Sequence, residues 1–157
     1  MKITKEEIAK LNRLGDGLEV FYLAGRTLDK NKTVIAVCDY VLNVVNLIKP
    51  YCSSEQYKRV VQFLNNPLAL APEVIQAANE AAFAAMDTAF SAVVAACGED
   101  HAPLWAAHNA ANAVTNAVSA AVACDSYTAT VFAANAADRI GIGYDTLLVK
   151  LFNEQPA

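Results

Sequence analysis

At 157 residues and 16.7 kDa the chain has the length of one domain and needs no metal or disulfide staple to bury a core. Apolar residues make up 55% and charged residues 18%, which excludes wholesale disorder. The formal net charge of -4 argues against general nucleic-acid binding.

Thr4-Lys5-Glu6-Glu7 has the spacing of a capping box and opens a first helix marked by Ile8, Leu11 and Leu14. Gly15 and Gly17 interrupt it, and Leu18 to Leu23 resumes the helix to near Gly25. From Asn31 to Ile48 the residues Val34, Val37, Val41, Val44 or Val45 and Ile48 form one apolar stripe, with Asp39, Asn43 and Asn46 opposite. This predicts one helix ended by Pro50. Ser53 to Gln56 is a second capping box, followed by Tyr57, Val60, Val61 and Leu64 and closed by Asn65-Asn66-Pro67.

The second half opens with Pro72 at a first helical position and predicts a helix to about Cys97, stopped by Gly98. Glu99-Asp100-His101 makes a turn, with Asp100 or His101 as cap, and Pro103 starts a helix reaching about Cys124. These two helices are expected to be antiparallel. Asp125-Ser126 breaks the chain again, a third Ala-rich helix runs to about Ile140, and Gly141 and Gly143 precede a last helix over 145–153. No segment reads as a strand, so the expected fold is all-α, a single-domain, mostly antiparallel bundle spanning 1–157.

Composition divides the chain into a basic-leaning part, 1–70, and an acidic Ala-rich part, 71–157. The first holds 4 alanines and the second 27, and the charge divides near residue 67 into +3 and -7. Alanine permits close helix approach, so the three Ala-rich helices should pack tightly, with Ala81, Ala111 and Ala121 facing inward. Larger residues such as Val74, Phe83, Met86, Phe90, Trp105, Val114, Val118, Val122 and Phe132 are expected to key between them.

The N-terminus carries charges but no apolar segment or cleavage signal, which predicts a cytoplasmic protein. The uncharged stretch from Ala102 to Cys124 carries His108, three asparagines, Thr115 and Ser119, and no membrane span is expected there. Cys38, Cys52, Cys97 and Cys124 form no CxxC pair and read as buried apolar thiols.

No HExxH, GxSxG, GxGxxG or GxxxxGK[ST] occurs, so neither a metal, a cofactor nor a catalytic residue is expected. Glu73, Glu80 and Asp87 recur every seven residues, and the following helix offers His108, Asn112, Thr115 and Ser119 on one face, flanked by Asn109 and Asn116. Such stripes serve as solvated faces. They also make Glu80, Asp87, His108, Asn109, Asn112 and Asn116 the candidate binding residues, because asparagine is a mediocre helix former that gains by hydrogen bonding, either to a partner or between helices. An acid–base site would need His108 beside Asp87 or Glu80.

The stretches Ala77-Ala78-Asn79-Glu80-Ala81-Ala82-Phe83-Ala84-Ala85, Trp105-Ala106-Ala107-His108-Asn109-Ala110-Ala111 and Ala133-Ala134-Asn135-Ala136-Ala137 resemble the Ala-rich helical immunity proteins of bacterial toxin systems. The likeness covers residues 72–140 and lies in texture and helix order. The Lys-rich N-terminal part departs from it, and no functional residue of the family maps onto a position here. The resemblance implies a protein that binds and neutralises a partner.

The leading expectation is therefore a non-enzymatic protein-binding module with a basic protein partner. The alternatives are a small-molecule binder or enzyme with an inter-helix pocket, and a phage-type assembly protein acting as a homo-oligomer.

Overall fold

Local signals set most helix starts. The structure, a computed structural model, describes residues 2–13, 19–96 and 102–154. Among them are eight α-helices and one 3-10 helix, and no strand. The helices are α1 (Lys5–Arg13), α2 (Glu19–Thr27), α3 (Lys30–Leu42), α4 (Ser54–Asn65), α5 (Pro72–Ala95), α6 (Ala102–Val122), α7 (Ser126–Arg139) and α8 (Tyr144–Asn153), with the 3-10 helix at Val45–Tyr51. The Gly15, Gly17 and Gly98 breaks, the His101 cap and Cys97 lie outside the described residues.

Both predicted capping boxes form. The Thr4 N–H donates to Glu7 Oε2 at 2.7 Å while the Glu7 N–H donates to Thr4 Oγ1 at 3.2 Å. Ser53 and Gln56 make the same reciprocal pair at 2.9 and 3.1 Å. Asp29 caps α3, accepting from the Lys32 N–H at 3.0 Å, and Asp125 caps α7, accepting from the Thr128 N–H at 2.7 Å.

The expected single helix over Asn31 to Ile48 is instead two elements. α3 stops at Leu42, and the 3-10 helix follows at an angle of 60°. An α-helix continued through Val45–Tyr51 would press the Pro50 ring against the Asn46 carbonyl and lose a hydrogen bond. The tighter 3-10 helix holds Pro50 inside it. The bend preserves the apolar stripe, because Val34, Val37, Val41, Val45 and Ile48 are all buried while Asp39, Asn43 and Asn46 are exposed.

α5 and α6 are antiparallel. Met86 meets Asn112, and one turn further along α5 Phe90 meets His108, one turn back along α6. α6 packs against α5, α7, α3 and the 3-10 helix, and α7 also meets α2, α3 and α8. A single cluster of buried side chains runs from Ile3 to Phe152, so both compositional halves share one core in a single-domain bundle.

Alanine lines the interior of the second half. Ala78, Ala81, Ala82, Ala85 and Ala89 of α5 are buried, as are Ala107, Ala110, Ala111, Ala113, Ala117 and Ala120 of α6 and Ala129, Ala133, Ala134, Ala136 and Ala137 of α7. Val114 and Val118 key between the helices as expected, but Phe83, Phe90, Trp105 and Val122 do not. They are 46%, 47%, 41% and 61% exposed. An interface built from methyl groups has no volume for a ring, so the rings of Phe83, Phe90 and Trp105 lie outside it. Ala121 is half-buried, and its neighbour Ala120 takes the inward position.

Candidate functional site

The outer face of α5 carries a continuous exposed stripe. Glu73, Gln76, Glu80, Phe83, Asp87 and Phe90 follow at spacings of three and four, and all are exposed. Such spacing places them along one side of a helix. Three carboxylates at seven-residue intervals alternate with an amide and two phenyl rings. Gln76 Nε2 donates to Glu80 Oε1 at 3.2 Å, while no ion pair forms at Glu73, Glu80 or Asp87 among the described residues. The phenylalanines share the seven-residue interval of Glu80 and Asp87, displaced by three positions. That interval is the sequence signal for an apolar component in a stripe otherwise read as acidic.

Phe90 sits at one end of this stripe in a small aromatic cluster. Its ring centroid lies 6.2 Å from Trp105 and 6.0 Å from His108, and Trp105 and His108 meet edge-on at 5.3 Å. His108 Nδ1 is buried with no hydrogen-bond partner. No hydrogen bond or ion pair joins His108 to Asp87 or Glu80, so the acid–base pairing is not assembled.

The amide face of α6 is partly covered. Thr115 is buried, and Asn112, Asn116 and Ser119 are half-buried. Asn116 Nδ2 donates to both the backbone oxygen and Oδ1 of Asn112 at 2.9 Å. The Thr115 hydroxyl donates to the Asn112 carbonyl at 2.7 Å, and the Ser119 hydroxyl to the Thr115 carbonyl at 3.0 Å. Asn112 Nδ2 reaches Met86 Sδ across the interface at 3.6 Å. Asn116 thus donates to Asn112 and to the helix backbone, while Asn112 donates across to Met86. Both asparagine side chains are half-buried, so part of each stays accessible from outside.

Asn109 stands apart from both groups. It lines a surface cleft of about 440 Å³ between the 3-10 helix, α6 and the end of α7, together with Leu47, Trp105, Arg139 and Ile140. Arg139 and Leu47 were not among the residues singled out by pattern, although Arg139 is one of only two Lys/Arg residues beyond residue 67.

The described thiols differ from one another. Burial, with a smaller contribution from the Asp39 charge, pushes the Cys38 thiol up to about 12. Burial also raises that of Cys52, whose Sγ donates to the Ile48 carbonyl at 3.4 Å. Both are poor nucleophiles. Cys124 is exposed, contrary to the expectation of burial, because it follows the end of α6. Among the described residues no three His, Cys, Asp or Glu side chains converge to hold a metal ion, and no single helix is long and apolar enough to cross a membrane.

No family model, curated protein or solved structure matches the chain.

Proposed function

We propose that this chain is a non-enzymatic protein-binding module, an inhibitor or immunity protein whose partner presents a basic surface. The observation that carries the reading is the α5 stripe, where Phe83, about half exposed, lies between the carboxylates of Glu80 and Asp87, and Phe90, equally exposed, follows Asp87. Exposed aromatic rings flanked by charge have the composition of a binding surface, with the rings supplying buried area and the charges steering and orienting the partner. Two copies of the stripe would bring carboxylates towards carboxylates, which favours a cationic partner over a second copy. The resemblance to Ala-rich immunity proteins points the same way.

The test is capture of a partner from the native host, followed by measured association. The parent should retain a basic protein, while Phe83→Ser should bind at least roughly tenfold more weakly with an unchanged thermal melt. Glu80→Lys with Asp87→Lys should slow association, and the slowing should shrink as salt rises. Full binding by Phe83→Ser and by the charge-reversed protein would remove the stripe from the interface. Absence of any stable protein partner, together with turnover of a small substrate, would overturn the whole reading.

A further inference from the structure

The cleft on the other side of Trp105 has a different chemistry from the α5 stripe. Its apolar walls include Val44, Leu47, Trp105 and Ile140, and its polar groups are Asn109 and Arg139. Trp105 and Leu47 remain 41% and 39% exposed, so the walls present an apolar surface that the fold does not cover. Among the described residues no acidic side chain lines the cleft.

Arg139 has no ion-pair partner among the described residues, although Asp138 precedes it. The Asp138 carboxylate is engaged elsewhere, accepting from the Tyr144 N–H at 2.7 Å at the start of α8. Lys150, the other cation of the second half, lies 5.0 Å from the centre of the Tyr40 ring. Arg139 therefore brings a positive charge to the cleft in a chain whose second half is acidic.

From this arrangement we infer that the cleft is a binding site for a small organic acid, a monoanionic carboxylate carrying an apolar body. A guanidinium presents a planar fork of donors that matches the two oxygens of a carboxylate, and the neighbouring Asn109 amide adds donor and acceptor capacity. One cation balances one anionic charge. A phosphate dianion would leave a charge uncompensated beside apolar walls. The apolar body covers Trp105, Leu47, Val44 and Ile140, and a cleft of about 440 Å³ falls in the usual size range of small-molecule sites. A purely local role for Arg139, offsetting the dipole at the end of α7, needs neither the uncovered walls nor the absence of an acid among their described residues.

Trp105 is the only tryptophan in the chain, so intrinsic fluorescence reports on this cleft. The probes are cyclohexanebutyrate and its uncharged isostere cyclohexanebutyramide, titrated at neutral pH into the parent and into Arg139→Gln and Ala106→Leu. Ala106 also lines the cleft, and leucine there fills part of it. The butyrate should change Trp105 emission saturably and bind roughly tenfold or more tighter than the amide, as expected for a charge-assisted hydrogen bond. Arg139→Gln should reduce the butyrate to the affinity of the amide, leave the amide unchanged and keep the thermal melt of the parent. Ala106→Leu should abolish the response to both. No saturable change in the parent would overturn the site. Equal affinity for the two probes, or full butyrate binding by Arg139→Gln, would overturn the assignment of an acid. Arg139 is exposed, so its substitution decides the matter even if Ala106→Leu fails to fold.

Discussion

Gly25 and Tyr127 approach so closely that a methyl group on Gly25 would lie 2.7 Å from the Tyr127 Cβ. It would also lie 3.1 Å from the Tyr127 Cα and 3.3 Å from its backbone nitrogen. These atoms belong to the first turn of α7 and cannot rotate away. The same approach stacks Tyr22 on Tyr127, with ring centroids 5.2 Å apart. Gly25 is therefore where α2 locks onto the Ala-rich half.

Helix propensity alone predicts that Gly25→Ala stabilises by about 1 kcal/mol. Overpacking a closed interface costs about 1–3 kcal/mol, and here the obstruction is backbone and Cβ. The expected outcome is net destabilisation, read as a lower denaturant midpoint. A higher midpoint would mean that α2 shifts away from α7 at little cost.

The inward alanines make a second prediction. Ala111 is fully buried on α6, and Ala111→Leu should destabilise by about 1–3 kcal/mol. Ser91 on α5 is exposed, and Ser91→Leu should be neutral or slightly stabilising, since leucine is the better helix former. Thermal melts of the two variants beside the parent check this. Equal effects would remove close packing as the reason for the alanine excess.

Asn153 joins the ends of the described chain. Its Oδ1 accepts from the Ile3 N–H at 2.9 Å, and its Nδ2 donates to the Ile3 carbonyl at 3.3 Å. Asn153→Ala removes both bonds and should cost about 1–3 kcal/mol, at about 0.5–1.5 kcal/mol for each. Amide exchange at Ile3 should accelerate by more than the global loss of stability explains. Unchanged exchange at Ile3 would show that the pairing does not hold in solution.

Asp125 gives a pH dependence. Hydrogen bonds from the Thr128 backbone and side chain hold its carboxyl below the ordinary value of 3.8, against an opposing desolvation and with lesser help from the Tyr127 N–H and the Lys30 charge. A carboxyl with a lowered folded value contributes stability above its unfolded value and loses it as pH falls through the folded one. An asparagine side chain in the same place would cap α7 without titrating. The melting temperature of the parent relative to Asp125→Asn should therefore fall between about pH 5 and about pH 2. A constant difference across that range would show that the cap does not carry the shift.

Much of the helix order was legible in the residues. Thr4 with Glu7, Ser53 with Gln56, Asp125 and Pro72 are local signals whose partners lie within a turn, so reading them requires no knowledge of the rest of the chain. The stripe from Val34 to Ile48 predicted which residues are buried, though not the bend between α3 and the 3-10 helix. Val44 and Val45 look alike in a pattern, and only packing on α6 and α5 selects Val45 for the core.

The candidate sites divide differently. Glu80 and Asp87 stand on an exposed face, as their seven-residue interval implied, while Asn112 and Asn116 are half-buried, with Asn116 donating to Asn112. Periodicity identifies a stripe on a helix without saying which neighbour covers it, and in an Ala-rich helix every side looks similarly apolar. Tertiary packing therefore decided that alanines fill the interior and that Phe83, Phe90 and Trp105 stand outside. It also brought Leu47, Asn109 and Arg139 to one cleft from three separate elements. An all-α chain, most of its helix boundaries and its charge division are legible from the residues, because those depend on local backbone chemistry and composition. Which faces meet, and hence which residues are left to bind anything, depended on side-chain volumes summed across helices far apart in the chain.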